Sequence, residues 1–291
     1  MASLPKLLPT RLRDLWQTAA AAGLSQADCA SRQQHELELC AATWREALRL
    51  PNEPDLLHST LAEIGRWRKI DDLAEVRRRC EQALQTLKHD WERTVGRGNA
   101  AAVETYYDSA DACIEELMWW HTLIDDNSPL AYVVALEFAE AARCRSYLDF
   151  GSGVGSGALL FARHGFDTTL ADISSVLLGF CRWRFERRAL TARFVDLKAS
   201  TLPPSAFDFI TAMDVFEHLV DPVAVVDQLY ASLTPGGYIF GRFSGEDDAD
   251  RPQHIVHDFQ PVFDRFAELG CQEVFHDDWL WGHQAFQKPT G

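Results

Sequence analysis

The sequence predicts an α/β protein: a mostly parallel sheet of seven strands with helices on both faces, preceded by an all-α region. Three observations carry this. Residues 1–127 show only helical patterning, with apolar residues spaced by three and four. From residue 128 the rhythm changes to strand, helix, strand. At the change, YLDFGSGVGSGALLFA (147–162) sets four glycines between two apolar runs, where a backbone must let something approach closely.

The elements follow in order. Ser25, with Asp28 three residues on, opens a helix that Pro51 ends. Asp71 or Asp72 caps a longer one. Its apolar stripe is Leu73, Val76, Cys80, Leu84, Leu87, Trp91 and Val95. GRGN (96–99) breaks the chain, and a last helix runs through 101–124. DDNSP (125–129) stops it and starts the next, with Asn127 or Ser128 as cap and Pro129 in the first turn. Strands are expected at 146–150, 168–171, 192–195, 207–213 and 237–243. Helices fall between them, one burying Leu177, Leu178, Cys181 and Phe185 and another starting at Asp221-Pro222. A helix near 257–269 and two strands, CQEVF and GHQAFQ, close the chain as an antiparallel pair. HDD (276–278) reads as surface.

Composition narrows the function. The 291 residues are 47% hydrophobic and 24% charged, an ordinary globular balance. A net charge of −15 argues against nucleic acid or an anionic membrane as partner, since phosphates need a basic face. A small molecule suits it better. The seven cysteines form no CxxC pair, the start lacks a signal-peptide core, and no run is long enough to span a membrane, so a reducing, cytoplasmic setting is the expectation.

The glycine loop could serve three ligands. No Gly-Lys-Ser/Thr follows, so it is not a P-loop. Gly153-x-Gly155-x-x-Ala158, with Asp172 beyond, fits a dinucleotide loop. Asp149 speaks against that, because a carboxylate at the strand end repels a pyrophosphate and would hold an ammonium group. Asp-x-Gly-x-Gly-x-Gly (149–155) resembles motif I of class I S-adenosylmethionine (SAM) methyltransferases. LADISS, FVDLK, FDFITAMDVFEHLVDP and LTPGGYIF resemble its later motifs in order, so that the likeness covers roughly 128–243. The resemblance implies a Rossmann-like fold and SAM as cofactor. It places Asp149, Gly151, Gly153 and Gly155 at the methionyl part, Asp172 and Ile173 at the ribose, Asp196 and Leu197 at the adenine, and Asp214 in the following loop.

Such a core needs only residues 128–291, a SAM-binding catalytic domain. Residues 1–127 are an addition expected over the open sheet edge, as a lid and substrate domain. Tyr106, Tyr107, Trp119, Trp120, His121 and Asn127 would wall a pocket over a sulfonium cation. The same helices also suit a homodimer interface. His218, His254 or Glu217 can serve as base, with Tyr132 near the reacting end. Methyl transfer to a small O-, N- or C-nucleophile is the leading reading. Chains of this form also resemble SAM-consuming cyclases such as azetidine-2-carboxylate synthases, in which the SAM amine attacks its own Cγ and releases methylthioadenosine. A third reading is a non-catalytic SAM-binding subunit. His254, His257 and Asp258 are metal-ligand types without a metal-site spacing, and no metal is expected.

Overall fold

The computed structural model describes residues 6–95, 100–245 and 251–290. GRGN (96–99) lies outside them. Six helices come first: α1 (Leu8–Thr18), α2 (Gln26–Leu48), α3 (Leu56–Arg68), α4 (Leu73–Thr94), α5 (Ala100–Ser109) and α6 (Cys113–Trp120). Ser25 and Asp28 cap α2 reciprocally, and Asp72 caps α4 by accepting from the Ala74 N–H. On α4 the stripe Val76, Cys80, Leu87 and Trp91 is buried, joined by Ala83, while Leu73 at the first turn is exposed.

The single helix expected over 101–124 is two. At the junction the Arg68 guanidinium of α3 donates to both the carboxylate and the carbonyl of Asp111, a carbonyl that also accepts the Ile114 N–H. The Ser109 hydroxyl also bonds back to Thr105 and Tyr106. At the next start Asn127 holds the cap position without a side-chain capping bond. Asp126 accepts from the Ser128 N–H and hydroxyl instead, and Pro129 sits in a 3₁₀ turn (Ser128–Leu130) leading into α7 (Ala131–Ala141).

The second part alternates β1 (Ser146–Phe150), α8 (Ser156–Arg163), β2 (Asp167–Asp172), α9 (Ser175–Arg187), β3 (Arg193–Asp196), β4 (Phe207–Ala212), α10 (Pro222–Ser232) and β5 (Leu233–Arg242). It ends with α11 (Gln260–Glu268), β6 (Gln272–His276) and β7 (His283–Gln287). The seven strands run in the order β3-β2-β1-β4-β5-β7-β6. All neighbours up to β5 are parallel, and β7 pairs antiparallel with both β5 and β6. Strand order reverses at β1, between β2 and β4, the switch point where open sheets hold ligands.

Alternation in the strands sends residues to two cores. Tyr147, Phe209 and Phe240 meet α7 and α8, and α1 and α2 join that layer through Leu8, Leu12 and Trp44. Leu148, Phe150 and Ile210 meet α10 and α11 on the other face. Helices α3 to α6 form a third core with Leu177 and Phe180 of α9 and with Val154 of the glycine loop. The first half is thereby packed against the cofactor loop. Of HDD, expected at the surface, His276 and Asp278 are exposed but Asp277 is 2% exposed, and its carboxylate accepts the N–H groups of Trp279, Leu280 and Trp281 in the β6–β7 turn. The seven cysteines are free thiols, six of them buried. Among the described residues no helix is long and apolar enough to cross a membrane.

Candidate active site

Loops from the carboxyl ends of β1, β2 and β4 meet beneath α5 and α6 and enclose a cavity of about 720 Å³. Small-molecule sites span roughly 300–1,000 Å³, so this one has room for a nucleoside cofactor and a small second molecule.

The glycine loop forms one wall. Gly151, Gly153 and Gly155 all have positive φ, which L side chains rarely adopt. A Cβ at Gly153 would stand 2.9 Å from Leu117 Cδ1 on α6, so a side chain there would displace the leucine as well as strain the backbone. Gly151 and Gly153 line the cavity; Gly155 lies behind it against Cys181.

Asp149 is fully buried and is not on the cavity wall. Strand alternation turns it towards α8. There its Oδ2 accepts the Ala158 N–H at 2.9 Å and its Oδ1 the Thr211 hydroxyl at 3.2 Å. Burial pushes its carboxyl up to about 7. It occupies the amino end of α8, the place where a dinucleotide pyrophosphate would be drawn. Asp149 thus opposes a pyrophosphate, as the sequence suggests, but it does so by filling the helix terminus and not by facing the cofactor amine.

Asp172 does face the cavity, with Ile173 and Leu197. Its carboxylate accepts from Gly153 N and Ser174 N at 2.9 and 2.8 Å, tying the end of β2 to the glycine loop, and burial pushes it up to about 6. Asp196 stands opposite it in register on β3, half-buried and bonded to the Lys198 N–H, off the cavity wall.

The helical half supplies the facing wall. Tyr106, Tyr107, Trp120 and His121 line it, joined by Tyr132 of α7 from the second half. Tyr106 is anchored through its hydroxyl to the Leu87 carbonyl. The Tyr107 hydroxyl lies 2.9 Å from His218 Nδ1, a contact between α5 and the loop after β4. His121 Nδ1 meets the Ser156 hydroxyl, and burial pushes that imidazole down to about 3. Tyr132 stacks on Trp44 of α2, ring centroids 5.7 Å apart. Two predicted wall residues lie elsewhere. Trp119 donates to Asp125 with the Arg77 guanidinium over its ring, and Asn127 accepts from Trp281.

The remaining corner holds Asp214, Glu217, His218 and His254. Asp214 has φ +51° and meets Arg242 at 3.3 Å. Burial pushes the Glu217 carboxyl up to about 8, and burial with the neighbouring His254 pushes His218 down to about 4. Sequence reading missed Arg242 and the pair Arg251–Glu116, 3.5 Å apart across the cavity. Arg242 ends β5 at the same sheet edge, and counting strand ends would have found it. It also missed the buried group Glu63, Arg184 and Arg188. Arg184 donates to the Val154 carbonyl at 2.7 Å and to Ser156, while both arginines pair with Glu63 of α3.

A Gly-lined cradle, an acid at the end of β2, and a helix terminus closed to pyrophosphate define a nucleoside-cofactor site of the SAM type. Residues 119–281 match the family described as a methyltransferase domain, and the chain belongs to that family. The cofactor of the fold is SAM. The chain is 29% identical over 129 residues to the ubiquinone biosynthesis O-methyltransferase of Coxiella burnetii, covering 42% of this chain and 55% of that one. Against the enzyme of the same name from Paraburkholderia phymatum it is 32% identical over 96 residues, 32% of this chain and 41% of that one. It spans about half the length of these curated relatives or less. Among solved structures it is similar to the N-methyltransferase NodS from Bradyrhizobium japonicum WM9, with 18% identity, TM-score 0.44, and 55% and 94% of the two chains covered.

Proposed function

We propose that the protein transfers the methyl group of SAM to a small metabolite held in the cavity between its helical half and the sheet edge. The observation that carries this is the wall itself: helices from residues 1–127 close over the carboxyl ends of the strands, and Tyr107 meets His218 across the gap. On this reading residues 1–127 act as the lid and substrate domain and 128–291 as the catalytic domain.

The cofactor supplies an activated methyl on a sulfonium, a good leaving group. What remains for the chain is positioning, water exclusion and one proton. Gly151, Gly153, Asp172, Ile173 and Leu197 are the residues we assign to the cofactor. Tyr107, Trp120 and Tyr132 supply aromatic rings to the cavity wall, a lining that suits a positively charged sulfonium. The corner of Asp214, Glu217, His218 and His254 is assigned to the acceptor, and a side chain there receives its proton. The size of the cavity and the acidic chain favour a small acceptor over a polymer with a phosphate backbone.

Ring closure of SAM to azetidine-2-carboxylate keeps one observation on its side. The Asp149 carboxylate is turned into the fold, so it does not hold the amine as an ammonium ion. One assay separates the readings. With a panel of small acceptors the protein should form adenosylhomocysteine only when an acceptor is present; methylthioadenosine from SAM alone would establish the cyclase instead.

A further inference from the structure

Backbone and side-chain hydrogen bonds tie the segments of the acceptor corner together. Glu217 and His218 lie in a short turn after β4, and His254 comes from the segment before α11. The Glu217 carbonyl accepts both the Ile255 and the Val256 N–H, at 2.8 and 3.1 Å, which clamps the two segments side by side. His218 Nδ1 lies 3.1 Å from the Gln253 carbonyl and 2.9 Å from the Tyr107 hydroxyl. A carbonyl only accepts, so it orients the ring and leaves the lone pair of the neutral imidazole on Nε2. The two imidazole rings meet edge to face, centroids 4.9 Å apart.

Glu217 is 2% exposed, yet its Oε2 has no hydrogen-bond partner. A buried carboxyl oxygen without a partner gives up its hydrogen bonds to water with nothing in exchange. A cation would satisfy it. Glu217, His218 and His254 each offer a ligand atom, all within 4.8 Å of one another. Bonds of roughly 2.0–2.2 Å would draw those atoms together by on the order of an ångström.

We infer that Glu217, His218 and His254 form a binding site for a divalent first-row transition metal. Two imidazoles and one carboxylate suit zinc, iron, cobalt or manganese, whereas calcium and magnesium prefer oxygen ligands alone. Three protein ligands leave coordination positions open towards the cavity. If the methyl-transfer reading holds, a metal there would face the acceptor and lower the pKa of its hydroxyl or amine. His257 and Asp258, grouped with His254 by the sequence, are exposed and outside the cluster.

The test uses the full-length protein, stripped with a chelator and titrated with Co²⁺ in the absence of SAM. One equivalent should bind and develop the visible bands of four- or five-coordinate cobalt. His254→Ala and Glu217→Gln should weaken binding at least tenfold, and His257→Ala should bind as the unaltered protein does. SAM affinity, measured on each variant by calorimetry, should stay within a few-fold and so report an intact fold. No cobalt spectrum in a protein that binds SAM would overturn the inference, as would binding undiminished in both His254→Ala and Glu217→Gln. Either result leaves the methyl-transfer assay standing on its own.

Discussion

Asp149 shows what one residue reveals and conceals. Its type and position, two residues before the first glycine, were legible as incompatible with a pyrophosphate. Its orientation was not, because that depends on Ala158 and Thr211 reaching it from α8 and β4. The cost of that burial makes a pH prediction. The carboxyl titrates near 4 in an unfolded chain and about 7 in the fold. Between those values the folded protein holds a proton that the unfolded chain has lost. Stability from this group is therefore present at low pH and is lost as pH rises from about 4 to 7. Asp149→Asn keeps an oxygen for the Ala158 N–H and cannot ionise. Denaturant melts at pH 5 and pH 8 should show the unaltered protein losing about 2–3 kcal/mol more than the variant. Parallel stability curves would mean that Asp149 does not carry the burden assigned to it.

At the scale of elements, nearly every strand and helix of residues 128–290 was readable from alternation, caps and glycines. The misreadings involve side-chain bonds that periodicity does not report. At the α5–α6 junction Arg68 of α3 holds Asp111, and before α7 the Asp126 carboxylate reaches two residues forward to Ser128. A long-range ion pair such as the first is invisible to local periodicity. The same holds for Glu63, Arg184 and Arg188, three buried charges that join α3 to α9 and, through the Val154 carbonyl, to the glycine loop. Removing one partner from such a group leaves uncompensated buried charge. Glu63→Ala should therefore destabilise by about 3–5 kcal/mol. Arg184→Met, which replaces the charge with apolar volume, should weaken SAM binding roughly tenfold or more, because the loop carbonyl and Ser156 lose their donor. Thermal melts and calorimetry on the two variants check this. Unchanged SAM affinity in a destabilised Arg184→Met would make the group a packing device with no hold on the loop.

Over the whole molecule, the sequence placed the cofactor motifs at one sheet edge and an aromatic helical half above them. It could not foresee that the half divides its allegiance. Helices α1 and α2 join the core under α7 and α8, while α3 to α6 pack on α9 and the glycine loop. Only the second group faces the cavity, through Tyr106, Tyr107, Leu117, Trp120 and the turn to His121. The central claim is that SAM binds beneath those helices and that they close on it. Hydrogen exchange of the full-length protein, with and without SAM, tests it most directly. The account predicts slowed exchange over 105–135 together with the glycine loop at 149–156 and the end of β2 near 172–175. Slowing confined to the glycine loop and strand ends, with 105–135 exchanging as before, would contradict it and leave the helical half as a folding or dimerisation element.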